Sequence, residues 1–135
     1  MPKSLQNTKI MVVDDDVDTC ELLRFALEQE GATVVVAQTV GGAIETFRRC
    51  PPHAVIADIR LGSSDGYALI KAIRSHNAEY RGFTPAIAVT GFASPDDENR
   101  AIGCGFNAYF AKPFDPRRLV MKIEQILSGS ADLAA

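Results

Sequence analysis

Five short apolar runs punctuate the chain: residues 10–13, 33–37, 54–57, 86–89 and 108–111. Each is strand-sized and nearly continuous in apolar character, the pattern of strands covered on both faces of a parallel sheet. Between them the spacing changes to that of helices. Val40, Ala43, Ile44 and Phe47 fall at i, i+3, i+4 and i+7, and Leu23, Ala26 and Leu27, then Leu69, Ala72 and Ile73, then Leu119, Ile123 and Ile126 follow the same rule. Strand and helix alternate five times. That alternation predicts a parallel sheet with right-handed crossovers, helices on both faces, and functional groups gathered where the strands end.

The boundaries carry their own signals. Thr39 is placed to cap the second helix, Ser94 followed by Pro95 and Asp97 to open the fourth, and Asp115 followed by Pro116 to open the fifth. Gly31, Gly103 and Gly105 stand where helices are expected to stop.

Composition narrows the picture. At 135 residues, 47% hydrophobic and 23% charged, the chain suits one domain, expected over 7–128 with short flexible tails at 1–6 and 129–135. The net charge is −3 and the 14 basic residues are scattered, so no direct nucleic-acid contact is expected. The opening MPKSLQNTK lacks the apolar core of a signal peptide, and no apolar run approaches the roughly 18 residues that cross a bilayer. A cytoplasmic protein with no membrane contact is expected. Cys20, Cys50 and Cys104 match neither a zinc pattern nor a disulfide framework and are read as reduced, mostly packed side chains.

The chemistry lies just past the strands. Asp14 and Asp15 follow the first, Asp58 the third, Thr90 the fourth and Lys112 the fifth. Where first and third strands are neighbours, the three carboxylates meet at one crevice. Like charges held that close cost stability unless a cation joins them, which points to a divalent metal site. Oxygen-only ligands with room for water favour Mg²⁺, with Mn²⁺ as substitute. His53 and His76 lie elsewhere and are read as solvated surface residues. Asp16 and Asp18 read as a helix cap and a first-turn acid.

These residues carry a resemblance. With the acidic pair in VVDDD, Asp58 in VIADIRLGSSDG, Thr90 in AVTG and Lys112 in AYFAKPF, the chain resembles the receiver domains of two-component response regulators from Ile10 to Phe114, and the last helix completes their length. The resemblance implies a flavodoxin-like, doubly wound α/β fold: five parallel strands in the order 2-1-3-4-5 and five helices in a three-layer sandwich. It implies that Asp58 takes a phosphoryl group from a phosphohistidine on a histidine kinase or phosphotransfer protein. Asp14, Asp15, Asp58 and the backbone carbonyl of Arg60 would then serve Mg²⁺, Asp14 mainly through water. Lys112 would pair with the phosphoryl group, Thr90 would donate its hydroxyl, and Gly91 would leave the approach open. The Lys112–Pro113 bond would be cis, and Tyr109 would be the switch aromatic that turns inward as Thr90 moves. The face built from the fourth helix, fifth strand and fifth helix would change its affinity for a partner or a second copy of the chain. Such a protein catalyses only its own phosphorylation and dephosphorylation, so no separate enzyme activity is expected. The sequence departs from many relatives in placing Gly62 where proline stands. Bulk at Arg60 and Phe92 suggests slow self-dephosphorylation.

Three other readings compete. The string Asp14, Asp16, Asp18 resembles the start of a calcium loop, but Thr19 replaces the needed glycine and Phe25 the bidentate glutamate. The same string resembles the nucleophile motif of haloacid-dehalogenase-type phosphatases, with Asp14 attacking, although little chain remains for a cap. A receiver-shaped module working by contact alone is the third, yet the acids and acceptor it would have lost are present. The stretch after Leu127, SGSADLAA, is too short for an effector domain, and the expectation is either a single-domain regulator or a receiver from a longer regulator or hybrid kinase.

Overall fold

The computed structural model describes residues 4–61, 64–91 and 94–128. Five strands form its main sheet: β1 (Lys9–Val13), β2 (Thr33–Ala37), β3 (Ala54–Asp58), β4 (Ala86–Thr90) and β5 (Ala108–Ala111). The helices are α1 (Val17–Gln29), α2 (Val40–Arg49), α3 (Gly66–Tyr80), α4 (Pro95–Cys104) and α5 (Pro116–Ser128). All four strand pairings are parallel, and the order is β2-β1-β3-β4-β5, so the winding reverses between β1 and β3 as expected.

Alternation along each strand sorts the core into two layers. Ile10, Val12, Ala54, Ile56, Ile87 and Val89 pack against Cys20, Leu23 and Leu27 of α1 and Leu119, Val120 and Ile123 of α5. Met11, Val13, Val55, Ala57, Ala86 and Ala88 face Val40, Ala43 and Phe47 of α2, Leu69, Ile70 and Ile73 of α3, and Ala101 of α4. Every residue of β3 and β4 is buried, which is why both runs are apolar until their last residues, Asp58 and Thr90.

Caps fall where the sequence places them. Thr39 accepts from the Gly42 amide, Ser94 from the Asp97 amide while its hydroxyl donates to the Asp97 carboxylate, and Asp115 from the Arg117 amide. Gly31 and Gly105 take the left-handed conformation at φ of 93° and 123° as the chain leaves α1 and α4. Gly103 does not stop its helix: it lies inside α4, and the turn comes two residues later.

Two further differences are local. Arg60–Leu61 and Ser64–Asp65 form a small antiparallel pair after β3, too short to leave a periodic trace in the sequence. Leu5, inside the expected N-terminal tail, is instead 1% exposed in the α1–α5 layer, with its amide donating to the Glu30 carbonyl. One apolar side chain in a polar segment suffices to anchor it to the core. Of the cysteines, Cys20 is buried and Cys104 half-buried, but Cys50 is exposed beside the Lys9 ammonium. Among the described residues no helix is long and apolar enough to cross a membrane.

Candidate phosphoryl-acceptor site

Register brings the acids together. Val13 pairs with Ala57, so Asp14 and Asp58 leave the sheet at the same level on neighbouring strands. Thr90 ends β4 opposite Ala111, and Lys112 comes next. Asp14, Asp58 and Thr90 are buried, while Asp15 reaches solvent.

Lys112 links the two buried carboxylates. Its Nζ donates to Asp14 Oδ2 at 2.8 Å and to Asp58 Oδ2 at 3.0 Å. Its backbone amide donates to the Thr90 carbonyl at 2.7 Å, and the Lys112–Pro113 bond is cis. Burial alone would lower the ammonium's pKa, but the hydrogen bonds and charges of Asp14 and Asp58 outweigh it and raise the value above 10.5. The lysine therefore stays charged at neutral pH.

Asp14 is held from every side. Its Oδ1 accepts from the Asp16 amide at 2.9 Å, its own amide donates to the Ala37 carbonyl at 3.1 Å, and its carbonyl accepts from the Cys20 thiol at 3.3 Å. Asp16 is the N-cap of α1, accepting from the Asp18 amide and the Thr19 hydroxyl, and the Thr19 bond leads the effects that lower its pKa. Asp18 is the first-turn acid of that helix.

Carboxylate oxygens of Asp14, Asp15 and Asp58 lie within 4.8 Å of one another. Three carboxylates against one ammonium leave excess negative charge, two of them in buried positions, and all these donors are oxygens. That chemistry fits a hard divalent cation. The histidines take no part. The His53 Nδ1 accepts from the Lys9 amide at the amino end of the sheet, and the His76 ring, half-buried rather than solvated, packs on Phe47 and Tyr80.

Tyr109 is half-buried against the α2–α3–α4 layer, where burial first, and then the charges of Asp97, Tyr67 and Glu98, raise its phenol pKa. At exposed Gly91 a Cβ would meet nothing within 4 Å. Arg60 begins the short pair after β3. Gly62 and Phe92 lie outside the described residues.

Two contributors are hidden in the sequence. Cys20 reads as a packed small residue, and nothing local marks its thiol as a donor to Asp14. Gly66 is the other: a Cβ there would lie 2.8 Å from the Ile59 Cα and 2.9 Å from the Asp58 carbonyl oxygen, and its amide donates to the Ile59 carbonyl at 2.8 Å. Only glycine lets α3 start against the backbone of Asp58 and Ile59. Its faint signal is its place at the end of a polar run, SSDG, just before an apolar helix.

A doubly wound sheet with an acid pocket and a lysine at its switch point defines a class, and comparison with known proteins gives the family. The model of the response regulator receiver domain matches residues 10–124, and the chain belongs to that family. An uncharacterised 14.6 kDa protein of Leptolyngbya boryana is 40% identical over 91% of this chain and 92% of its own length. The transcriptional regulatory protein ZraR of Escherichia coli is 30% identical over 96% of this chain but only 28% of its own. The crystal structure of a two-component response regulator from Clostridium difficile superposes with a TM-score of 0.82 at 27% identity, covering 90% of this chain and 97% of that one. The chain spans from a quarter to just over half the length of the curated regulators it matches.

Proposed function

We propose that Asp58 is the acceptor of a phosphoryl group delivered by a phosphohistidine of a sensor histidine kinase or phosphotransfer protein, and that Mg²⁺ is required. The observation that carries this reading is the pair of bonds from the Lys112 ammonium to Asp58 and Asp14, beside the exposed carboxylate of Asp15. A carboxylate oxygen of Asp58 attacks phosphorus, the phosphorus–nitrogen bond breaks, and the imidazole nitrogen keeps its electron pair and takes a proton. The product is an aspartyl phosphate.

Asp14, Asp15, Asp58 and the carbonyl of Arg60 would hold the metal, which when bound neutralises charge on the phosphoryl oxygens. Lys112 exchanges its bond to Asp58 for one to a phosphoryl oxygen, as a compact point charge. Thr90 donates its hydroxyl to another oxygen, with Gly91 leaving the approach clear. Thr90 and Tyr109 then bias two arrangements of the face formed by α4, β5 and α5, changing its affinity for a partner or a second copy of the chain. The setting is cytoplasmic, and the protein acts as a switch that turns over only its own phosphoryl group.

The phosphatase reading has less support. Asp14, which would have to attack, is 1% exposed, and its two oxygens are engaged by the Asp16 amide and Lys112.

Incubation with acetyl phosphate and Mg²⁺, followed by intact mass, tests the proposal. One phosphoryl adduct is expected on the wild type and none on Asp58→Asn. An adduct that persists in the variant, or steady hydrolysis of a phosphate monoester, overturns it.

A further inference from the structure

We infer that Arg100 is a positioning residue for Asp58, acting through Tyr67 as a latch between α4 and the start of α3. The inference rests on the acceptor role proposed for Asp58.

The path is short. Asp58 and Ile59 are pressed against Gly66, where no side chain fits. Tyr67 comes next, 8% exposed on the α3 side of the core. The guanidinium carbon of Arg100, an exposed residue of α4, stands 4.3 Å from the centre of the Tyr67 ring. A cation at that distance over an aromatic face is attracted to it.

The helix that Arg100 belongs to is weakly held. In α4 only Ala101 is fully buried, with Cys104 packed half-buried against the same layer, whereas α5 buries Leu119, Val120, Ile123 and Ile126. An alanine supplies little apolar area. A cation–aromatic contact therefore adds proportionately more to α4 than it would to a helix anchored like α5. Tyr109 packs in the same layer as Tyr67 and feels the charges of Asp97 and Glu98 from α4's first turn. The latch thus sits among the groups that any movement of α4 must displace.

Its sign follows from Lys112. In this arrangement Asp58 Oδ2 accepts from Lys112 at 3.0 Å, a bond that a phosphoryl group on that oxygen would displace. The Arg100–Tyr67 contact therefore belongs to the arrangement of the free carboxylate. Removing it lowers the cost of leaving that arrangement and favours phosphoryl uptake.

The test compares uptake from acetyl phosphate with Mg²⁺, followed by intact mass, in the wild type, Arg100→Met, Arg100→Lys, Tyr67→Leu and the double variant Tyr67→Leu with Arg100→Met. Tyrosine ring resonances of the unphosphorylated proteins are recorded alongside. We expect Arg100→Met to take up phosphoryl about two- to fivefold faster, the scale of an exposed cation–aromatic contact. Arg100→Lys, which keeps a cation over the ring, should restore most of the wild-type rate and leave the Tyr67 ring resonances nearly in place. The double variant should be no faster than Tyr67→Leu alone. A wild-type rate in Arg100→Met, an equal change in Arg100→Lys, or additive effects in the double variant each overturns the latch while the acceptor role stands. Failure of the wild type to form any adduct overturns the acceptor role, and the latch with it.

Discussion

Lys112 Nζ lies 2.8 Å from Asp14 Oδ2 although 98 positions of sequence separate them. The lysine spans the crevice between the first and third strands and offsets two buried carboxylates at once.

Lys112→Met should destabilise the protein in metal-free buffer by about 1–3 kcal/mol, the cost of stranding a buried charged partner. Mg²⁺ should recover more stability in the variant than in the wild type, because more uncompensated charge awaits it. Urea unfolding with chelator and with Mg²⁺ measures both effects. An unchanged midpoint in chelator would mean that the lysine does not shield the acids.

Asp15 is exposed and can be changed without disturbing the core. Saturating Mg²⁺ should raise wild-type stability by about 2.7 kcal/mol at a hundred times its dissociation constant. Asp15→Asn should lose most of that increment while its metal-free melting temperature stays at or slightly above wild type. Thermal melts with and without chelator decide the matter, and an undiminished response in Asp15→Asn would remove it from the ligand set.

Alkaline stability should depend on Cys20. Burial, and then the charge of Asp14, push its thiol from 9.0 to about 11, so the folded protein holds that proton more tightly than the unfolded chain does. The contribution is complete below pH 9.0 and is lost as the pH climbs toward 11, because unfolding releases a thiol free to ionise. Denaturant midpoints from pH 8 to 11 should fall in the wild type and fall less in Cys20→Ala. Equal slopes would contradict this.

Two glycines should respond oppositely to alanine. At Gly66 the added carbon would strike backbone at 2.8 Å, and a loss of about 1–3 kcal/mol is expected. At Gly103, inside α4 with nothing within 4 Å, alanine should stabilise by about 0.5–1 kcal/mol. Paired unfolding curves for the two variants check both signs.

Much of the fold was legible along the chain. The five buried strands, the helical stripes and the caps at Thr39, Ser94 and Asp115 are local matters, since the repeat of apolar positions and the chemistry of a helix's first turn depend on residues a few places apart. Acids and a lysine placed just past the strands were visible for the same reason. The exceptions were also local: Gly103 lies inside α4, where a glycine's freedom is tolerated rather than needed, and Leu5 is a lone apolar residue with no periodic company.

What the sequence by itself determined is therefore the kind of element at each stretch and the set of polar groups available at the strand ends. Tertiary structure decided which of them touch. The bond from Lys112 to Asp58, the thiol of Cys20 on the Asp14 carbonyl, and Arg100 over Tyr67 join residues from separate elements. So does Arg74 of α3, whose guanidinium donates to the carbonyls of Thr84 and Gly105, each at 2.7 Å, tying the start of β4 to the turn after α4. Apart from the Cys20–Asp14 bond, whose partners lie six residues apart, such contacts depend on strand order, register and helix packing across the whole domain, and no window of neighbouring residues contains them.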